Sequence, residues 1–218
     1  MGRLVVVTGP SGAGKTTVGH YLTKNHGYQH VDGDEAIRSS DPVDVERRNG
    51  MTKAWEQIWS GKPAEKKDWE PCLGAFAERV QKKRGESTGK DVVATFAIYT
   101  VEQRDFLRET LGSDLVFLEL DGRSMDQMLA GFGTDLEKMT QNWVRYQTGF
   151  EAAKAEEPQA HAVDVAKDPT SVFSEVRRLL DLGESTGGPA TDLTALQEMD
   201  AKRCASDLKD MGLFKEPP

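Results

Sequence analysis

The stretch Gly9-Pro10-Ser11-Gly12-Ala13-Gly14-Lys15-Thr16 constrains this chain most, because it fits the pattern G-x-x-x-x-G-K-[ST] and lies where that pattern can work. Before it, Leu4-Val5-Val6-Val7-Thr8 is short and rich in β-branched residues, the composition of a buried parallel strand. After it, Thr17 to Lys24 reads as a helix closed by Asn25-His26-Gly27, with Gly27 in the left-handed conformation beyond the C-terminus. Strand, glycine loop and helix thus follow in the order a phosphate-binding loop requires. The competing reading is a glycine-rich turn that only happens to match. In the phosphate-binding reading, glycines let consecutive backbone N–H groups turn around phosphate oxygens, and the helix N-terminus adds its dipole. The nucleotide-binding set is then Gly9, Ser11, Gly12, Ala13, Gly14, Lys15, Thr16 and Thr17. Lys15 would reach the β- and γ-phosphates of ATP, and the Thr16 hydroxyl would ligate Mg²⁺.

Tyr28-Gln29-His30-Val31 reads as the second strand and runs into Asp32-Gly33-Asp34-Glu35. Ligands of open α/β sheets bind beyond the carboxyl ends of the strands, so these acids are expected beside the loop. Asp32, at the strand end, is placed to hold Mg²⁺ directly or through water. Asp34 is placed to orient an attacking hydroxyl or accept its proton. A solvated Asp-Gly-Asp helix cap is the alternative. Residues 35 to 61 read as polar and irregular, although Trp55 and Trp59, four apart, suggest one helical face against a core. Among the arginines of this region, Arg38 follows Asp34 by one helical turn and is the candidate clamp for an anionic acceptor, with solvated surface the other reading.

The next stretch, Trp59-Ser60-Gly61-Lys62-Pro63 through Asp68-Trp69-Glu70-Pro71-Cys72-Leu73, combines with the loop and the Asp-Gly-Asp to give a resemblance. S-G-x-P followed by Asp-x-x-Pro-x-Leu resembles the gluconate kinase family, relatives of shikimate and adenylylsulfate kinases. The resemblance runs from about residue 3 to 182. It implies a P-loop three-layer α/β sandwich with a five-stranded parallel sheet, transfer of the γ-phosphoryl of MgATP to a hydroxyl, and metal binding by Thr16 and the Asp32/Asp34 pair. Trp69 stands where the family has an arginine that helps bind the sugar acid, with Ala64 and Cys72 replacing its Leu and Trp. Trp69 is therefore assigned to the acceptor site, where an aromatic face suits C–H surface better than a carboxylate. The acceptor stays open between a gluconate-like sugar acid and another small hydroxyl compound, a nucleoside or nucleotide included.

Further along, Lys67 to Arg84 reads as a helix with Trp69, Leu73, Phe76 and Val80 on one face, and Asp91 to Ala97 as a central strand that no acid terminates. Thr100 to Leu111 is a polar-faced helix whose Gln103, Arg104, Phe106, Leu107 and Arg108 loosely match the family's Tyr-x-x-x-Leu-Arg, and Leu115 to Leu120 is the fourth strand. Kinases like these close an arginine-bearing lid over ATP. Ser124 to Asn142 contains no arginine and only Lys138, so Arg123 is named as the substitute catalytic cation, with Arg145 flanking and a surface ion pair the other reading for both. Asn142 to Ala155 reads as helix, where Gln147-x-x-Phe150-Glu151, followed by Glu157-Pro158, resembles the family's Gln-Phe…Leu-Glu-x-Pro turn. His161 to Val165 is the fifth strand, and the loop after it, with Lys167 and Pro169, is implied by the resemblance to lie against adenine.

With 37% hydrophobic and 29% charged residues over 218, one core plus an appendage is expected: a kinase domain at 1–182, a Gly/Ser/Thr-rich linker at 183–192 and a helical tail at 193–218. The tail's apolar stripe is read as packing back on its own domain; pairing with a second copy, as a homodimer, and fraying are the alternatives. A net charge of −8 argues against nucleic acid as a partner, and no apolar run approaches the ~20 residues of a membrane span. Two cysteines, Cys72 and Cys204, read as free thiols of a reducing compartment, and the first strand at Leu4 leaves no room for a leader, so a cytoplasmic location is expected. Histidines 20, 26, 30 and 161 show no metal-ligand spacing. Two function classes remain: a small-molecule kinase, and a nucleotide-binding protein that has lost phosphotransfer.

Overall fold

Leu4–Thr8 forms strand β1 with all five residues buried, as expected of a strand covered on both faces. The computed structural model describes residues 2–10, 12–35, 39–122, 144 and 148–183. After β1 come α1 (Lys15–His26), β2 (Gln29–Asp32), α2 (Pro42–Trp59), α3 (Lys66–Glu86), β3 (Val92–Thr95), α4 (Val101–Leu111), β4 (Val116–Asp121), β5 (Ala160–Asp164) and α5 (Pro169–Leu179). The five strands form one sheet in the order β2-β3-β1-β4-β5, and every pairing is parallel. All five carboxyl ends therefore share one edge.

Alternation along β1 divides the interior in two. Leu4 and Val6 join Phe76, Phe96 and Phe117 beneath α2, α3 and α4. Val5 and Val7 join Val18, Leu22, Leu118 and Phe173 beneath α1 and α5. Gly27 closes α1 with φ 72°, donating its N–H to the Leu22 carbonyl, as the sequence indicates. Among the described residues, no helix is long and apolar enough to cross a membrane.

Two expectations are corrected. Residues 35 to 61 are not irregular throughout, because Pro42–Trp59 is one helix. Asp41 caps it by accepting the Val43 N–H at 2.9 Å, Pro42 supplies the first turn, and Met51, Ala54, Trp55 and Ile58 form its buried stripe. The polar residues that suggested irregularity lie largely on the outward side. Second, the helix expected over Asn142 to Ala155 is absent from 148–155, which are turn and extended chain; residues 142, 143 and 145–147 lie outside the described set. The backbone of 148–155 is instead used by its neighbours: the Glu151 N–H donates to the Tyr99 carbonyl at 2.8 Å, and the Glu151 carbonyl accepts from Arg104 Nη1 at 2.9 Å. Cys72 is a free, buried thiol, pushed by burial up to about 12 and so protonated at neutral pH. Cys204, most of the linker and the whole tail lie outside the described residues.

Candidate active site

Thr8 ends β1 with its hydroxyl gripping Ile98 twice, donating to the carbonyl at 3.1 Å and accepting from the N–H at 3.0 Å. The chain then turns at Gly9, φ 143°, where a Cβ would stand 2.5 Å from the Leu120 carbonyl oxygen. Gly14, left-handed at φ 93°, is the N-cap of α1 and provides no side-chain cap. The N-terminus of α1 thus opens onto the glycine loop, where the helix dipole carries partial positive charge. Lys15 folds back over the loop, its Nζ 3.0 Å from the Gly9 carbonyl and 2.9 Å from the Pro10 carbonyl. Gly12, Thr16 and Thr17 are partly exposed around it and Ala13 is buried; Ser11 lies outside the described residues.

The acids come from the end of β2. Asp32, 7% exposed, accepts the Asp34 N–H at 3.1 Å on Oδ1, an Asx-type turn that sets the two carboxylates relative to each other. Between them Gly33 donates its N–H to the Thr95 carbonyl at 2.8 Å. A Cβ on Gly33 would meet Phe96 Cδ2 at 2.5 Å, so this turn can sit against β3 only with glycine. Gly33→Ala is expected to lower stability by about 1–3 kcal/mol, read from urea unfolding. β3 itself ends at Thr95, whose hydroxyl is 3.0 Å from His30 Nε2, with no terminal acid.

On the other side of β1, Asp121 accepts the Gly122 N–H at 2.6 Å, and its carbonyl accepts the Val165 N–H at 2.8 Å. Lys167 lies on the surface 3.7 Å from Asp164. Pro169 opens α5 behind Asp168, which caps the Ser171 N–H at 3.1 Å. The parallel order thus brings the loop, Lys15, Thr16, Asp32, Asp34 and the Lys167–Pro169 turn to one edge.

The Trp69 side chain is 1% exposed, packs edge-on against Phe106 at 5.6 Å between centroids, and lines the floor of a groove with it. The rim of that groove is Lys66, Glu102, Asp105 and Glu109, a mostly acidic set. Arg38 and Arg123 lie outside the described residues, as do Lys138 and Arg145.

One polar cluster, between α4 and the β4–β5 part of the sheet, was not foreseen. Arg104, 0% exposed, donates from Nε and Nη2 to both carboxylate oxygens of Glu157, at 2.6 and 2.9 Å. Arg108 Nη2 reaches the same carboxylate at 2.7 Å. Glu119, also fully buried, lies 3.7 Å from Arg104 Nη1 and accepts the Ala153 N–H at 2.8 Å. Burial pushes the Glu157 carboxyl up, but the hydrogen bonds and charges of Arg104 and Arg108 outweigh it and hold the group at about 2. At Glu119 burial wins over Arg104 and the Ala153 amide, and the carboxyl is raised. The sequence signals were Arg104 and Arg108 one turn apart and the acid of Glu157-Pro158, but which acid meets which arginine is a tertiary fact.

A parallel sheet with a glycine loop leaving its central strand, a lysine opening the next helix and acids at a nearby strand end is a P-loop kinase-like α/β fold. Residues 4–114, half of the chain, match the model of the AAA domain family, and the chain belongs to that family. The fold is shared with a sugar kinase from Janibacter sp. HTCC2649, at TM-score 0.60 and 23% identity over 84% of this chain and 96% of that one. It is also shared with a gluconokinase from Sinorhizobium meliloti 1021, at TM-score 0.51 and 22% identity over 96% and 97%. No curated protein sequence matches.

Proposed function

We propose that the protein is a small-molecule kinase moving the γ-phosphoryl of MgATP to a hydroxyl acceptor. The observation that carries this reading is Lys15, held over the left-handed glycine loop by the carbonyls of Gly9 and Pro10, at the edge that also bears Asp32 and Asp34. The phosphates would take the loop N–H groups and the α1 N-terminus, with Lys15 moving from its carbonyls to the β- and γ-oxygens. The acceptor oxygen would bond to the γ-phosphorus as the bond to the β,γ-bridging oxygen breaks. The hydroxyl proton would pass to Asp34, and ADP would leave.

Thr16 and Asp32 offer a hydroxyl and a carboxylate, hard oxygen ligands that suit Mg²⁺. Among the described residues no three His, Cys, Asp or Glu side chains gather as a cage, which fits an ion held by few protein ligands plus phosphates and water. When bound, the ion would neutralise charge on the transferring group. The Lys167–Pro169 turn would border the adenine. The similarity to a sugar kinase and a gluconokinase supports a sugar-acid or other polyol acceptor, while Trp69 and Cys72, standing where the resembling family has Arg and Trp, favour an acceptor other than gluconate, a nucleoside or nucleotide among them.

A second reading, nucleotide binding without transfer, is favoured by the stretch from Ser124 to Asn142, which lacks arginine. An ADP-release screen over sugar acids, nucleosides and nucleotides decides between the two. Acceptor-dependent release that Lys15→Ala lowers at least about a hundredfold is expected. Tight binding of ATP and ADP with no acceptor across the screen would establish the second reading instead.

A further inference from the structure

The Arg104 cluster is costly to build. Desolvating buried charges offsets most of what their pairing returns, so such a cluster is weak evidence of added stability. What it does fix is geometry, because a bidentate guanidinium–carboxylate pair has one good arrangement. The question is which part of the molecule that arrangement holds.

Besides Glu157, Arg104 holds the Glu151 carbonyl from Nη1 at 2.9 Å. Glu151 in turn is fixed to the chain that follows β3. Its N–H donates to the Tyr99 carbonyl at 2.8 Å, and its carboxylate accepts the Val101 N–H at 2.7 Å, at the start of α4. Phe150 packs edge-on against Tyr99 at 5.8 Å. Tyr99 donates its N–H to Gln103 at 2.9 Å, and its neighbour Ile98 is the residue gripped on both sides by the Thr8 hydroxyl. Thr8 immediately precedes Gly9. A second, shorter route reaches the same place: Glu119, beside Arg104, stands in register with Thr8 across the β1–β4 pairing.

We propose that Arg104 is a positioning residue for the phosphate loop, acting through Glu151, Tyr99 and Ile98, and through Glu119, on Thr8. Thr8 sets the direction in which the chain enters Gly9, whose Cα lies close enough to β4 that an added Cβ would stand 2.5 Å from the Leu120 carbonyl oxygen. A rotation passed to Thr8 is thereby handed on to the loop N–H groups that follow directly. For its affinity readout the inference rests on the loop binding nucleotide, and contiguity alone does not establish coupling. The test must therefore read the loop itself.

The full-length chain is compared as wild type, Arg104→Lys, Thr8→Val, the double variant, and Arg108→Lys, which loses contacts to Glu157 but touches nothing on the route to Thr8. Amide hydrogen exchange and MgADP titration are measured on each. Arg104→Lys is expected to speed exchange at Ile98 and Ala13 at least about tenfold while Val172 to Val176 of α5 stay within about twofold. It should weaken MgADP about five- to tenfold, and Thr8→Val should add little on top of it. Arg108→Lys should lower the melting temperature without moving the loop. Exchange rising equally across the core, or additive effects of Arg104→Lys and Thr8→Val on MgADP, would overturn the proposal. If Arg104→Lys fails to fold, Thr8→Val alone decides: unchanged exchange at Ala13 overturns the route. A wild-type chain that binds no MgADP yet shows the expected exchange pattern removes the nucleotide reading and leaves the positioning in place. MgADP binding untouched by Arg104→Lys does the reverse.

Discussion

Glu157→Gln is expected to destabilise the fold by about 3–5 kcal/mol at neutral pH, the usual cost of breaking a buried ion pair from one side. The side chain keeps its shape, so the loss is electrostatic. Glu157 receives Arg104 through Nε and Nη2 and Arg108 through Nη2, all between 2.6 and 2.9 Å. An amide offers one oxygen to three donors and turns its own NH₂ toward a guanidinium. Arg104, 0% exposed, would then depend on Glu119 at 3.7 Å, a carboxyl that burial already disfavours as an anion. Urea unfolding reads the loss as a lower midpoint with unchanged slope. A midpoint within experimental error of wild type would show that the cluster contributes nothing net.

The same carboxylate sets a pH dependence. Glu157 titrates at about 2 in the folded chain against about 4.3 when unfolded. A depressed carboxyl contributes stability that is complete above its unfolded value and is lost as pH falls toward 2. Glu119 has the opposite sign, since its raised carboxyl favours the folded state when protonated. The acid limb of the wild-type stability curve should therefore be steeper than that of Glu157→Gln between about pH 5 and pH 2.

What the sequence made legible follows from how local each signal is. The loop, β1 and the Gly27 stop of α1 depend on a few adjacent residues whose conformational needs are nearly unique, and each stands where the pattern puts it. The five strands are found to within one or two residues at each end: β1 and β3 are apolar runs ending in threonine, while β2, β4 and β5 are marked by short apolar stretches closed by Asp32, Asp121 and Asp164. The N-terminal half of α2 was missed because its capping at Asp41 and Pro42 opens a segment whose apolar stripe starts two turns later, at Met51. The reverse error fell on 148–155, where helical composition lost to partners that lie far away in sequence, Arg104 and Tyr99. Trp69 carries two local signals at once: its place in a family motif suggests an acceptor contact, and its place in the stripe with Leu73 and Phe76 sends most of the ring into the core. The second is legible because burying an indole against Phe106 removes a large apolar area from water.

Asp34→Asn separates the two functional readings most sharply. In the kinase reading Asp34 takes a proton as the acceptor attacks, and removing such a base lowers turnover by about 10²–10⁴-fold. Asparagine preserves the shape and the hydrogen-bond acceptor, and the Asp34 backbone N–H remains free to bond Asp32 Oδ1, so the turn and its neighbour should stand. Nucleotide affinity should then stay within about twofold of wild type, because in that reading the loop and Lys15, not this carboxylate, hold the phosphates. Asp32→Asn should act differently, raising the Mg²⁺ needed for half-maximal rate, since in the same reading the strand-end Asp32 is the proposed metal ligand. If Asp34→Asn and the wild type turn over an acceptor at the same rate, Asp34 is only the second acid of an Asx turn and another group must handle the proton. A uniform loss of nucleotide binding in both variants would mean that the acids support the loop's shape, and the division of labour between metal and proton would fall with it.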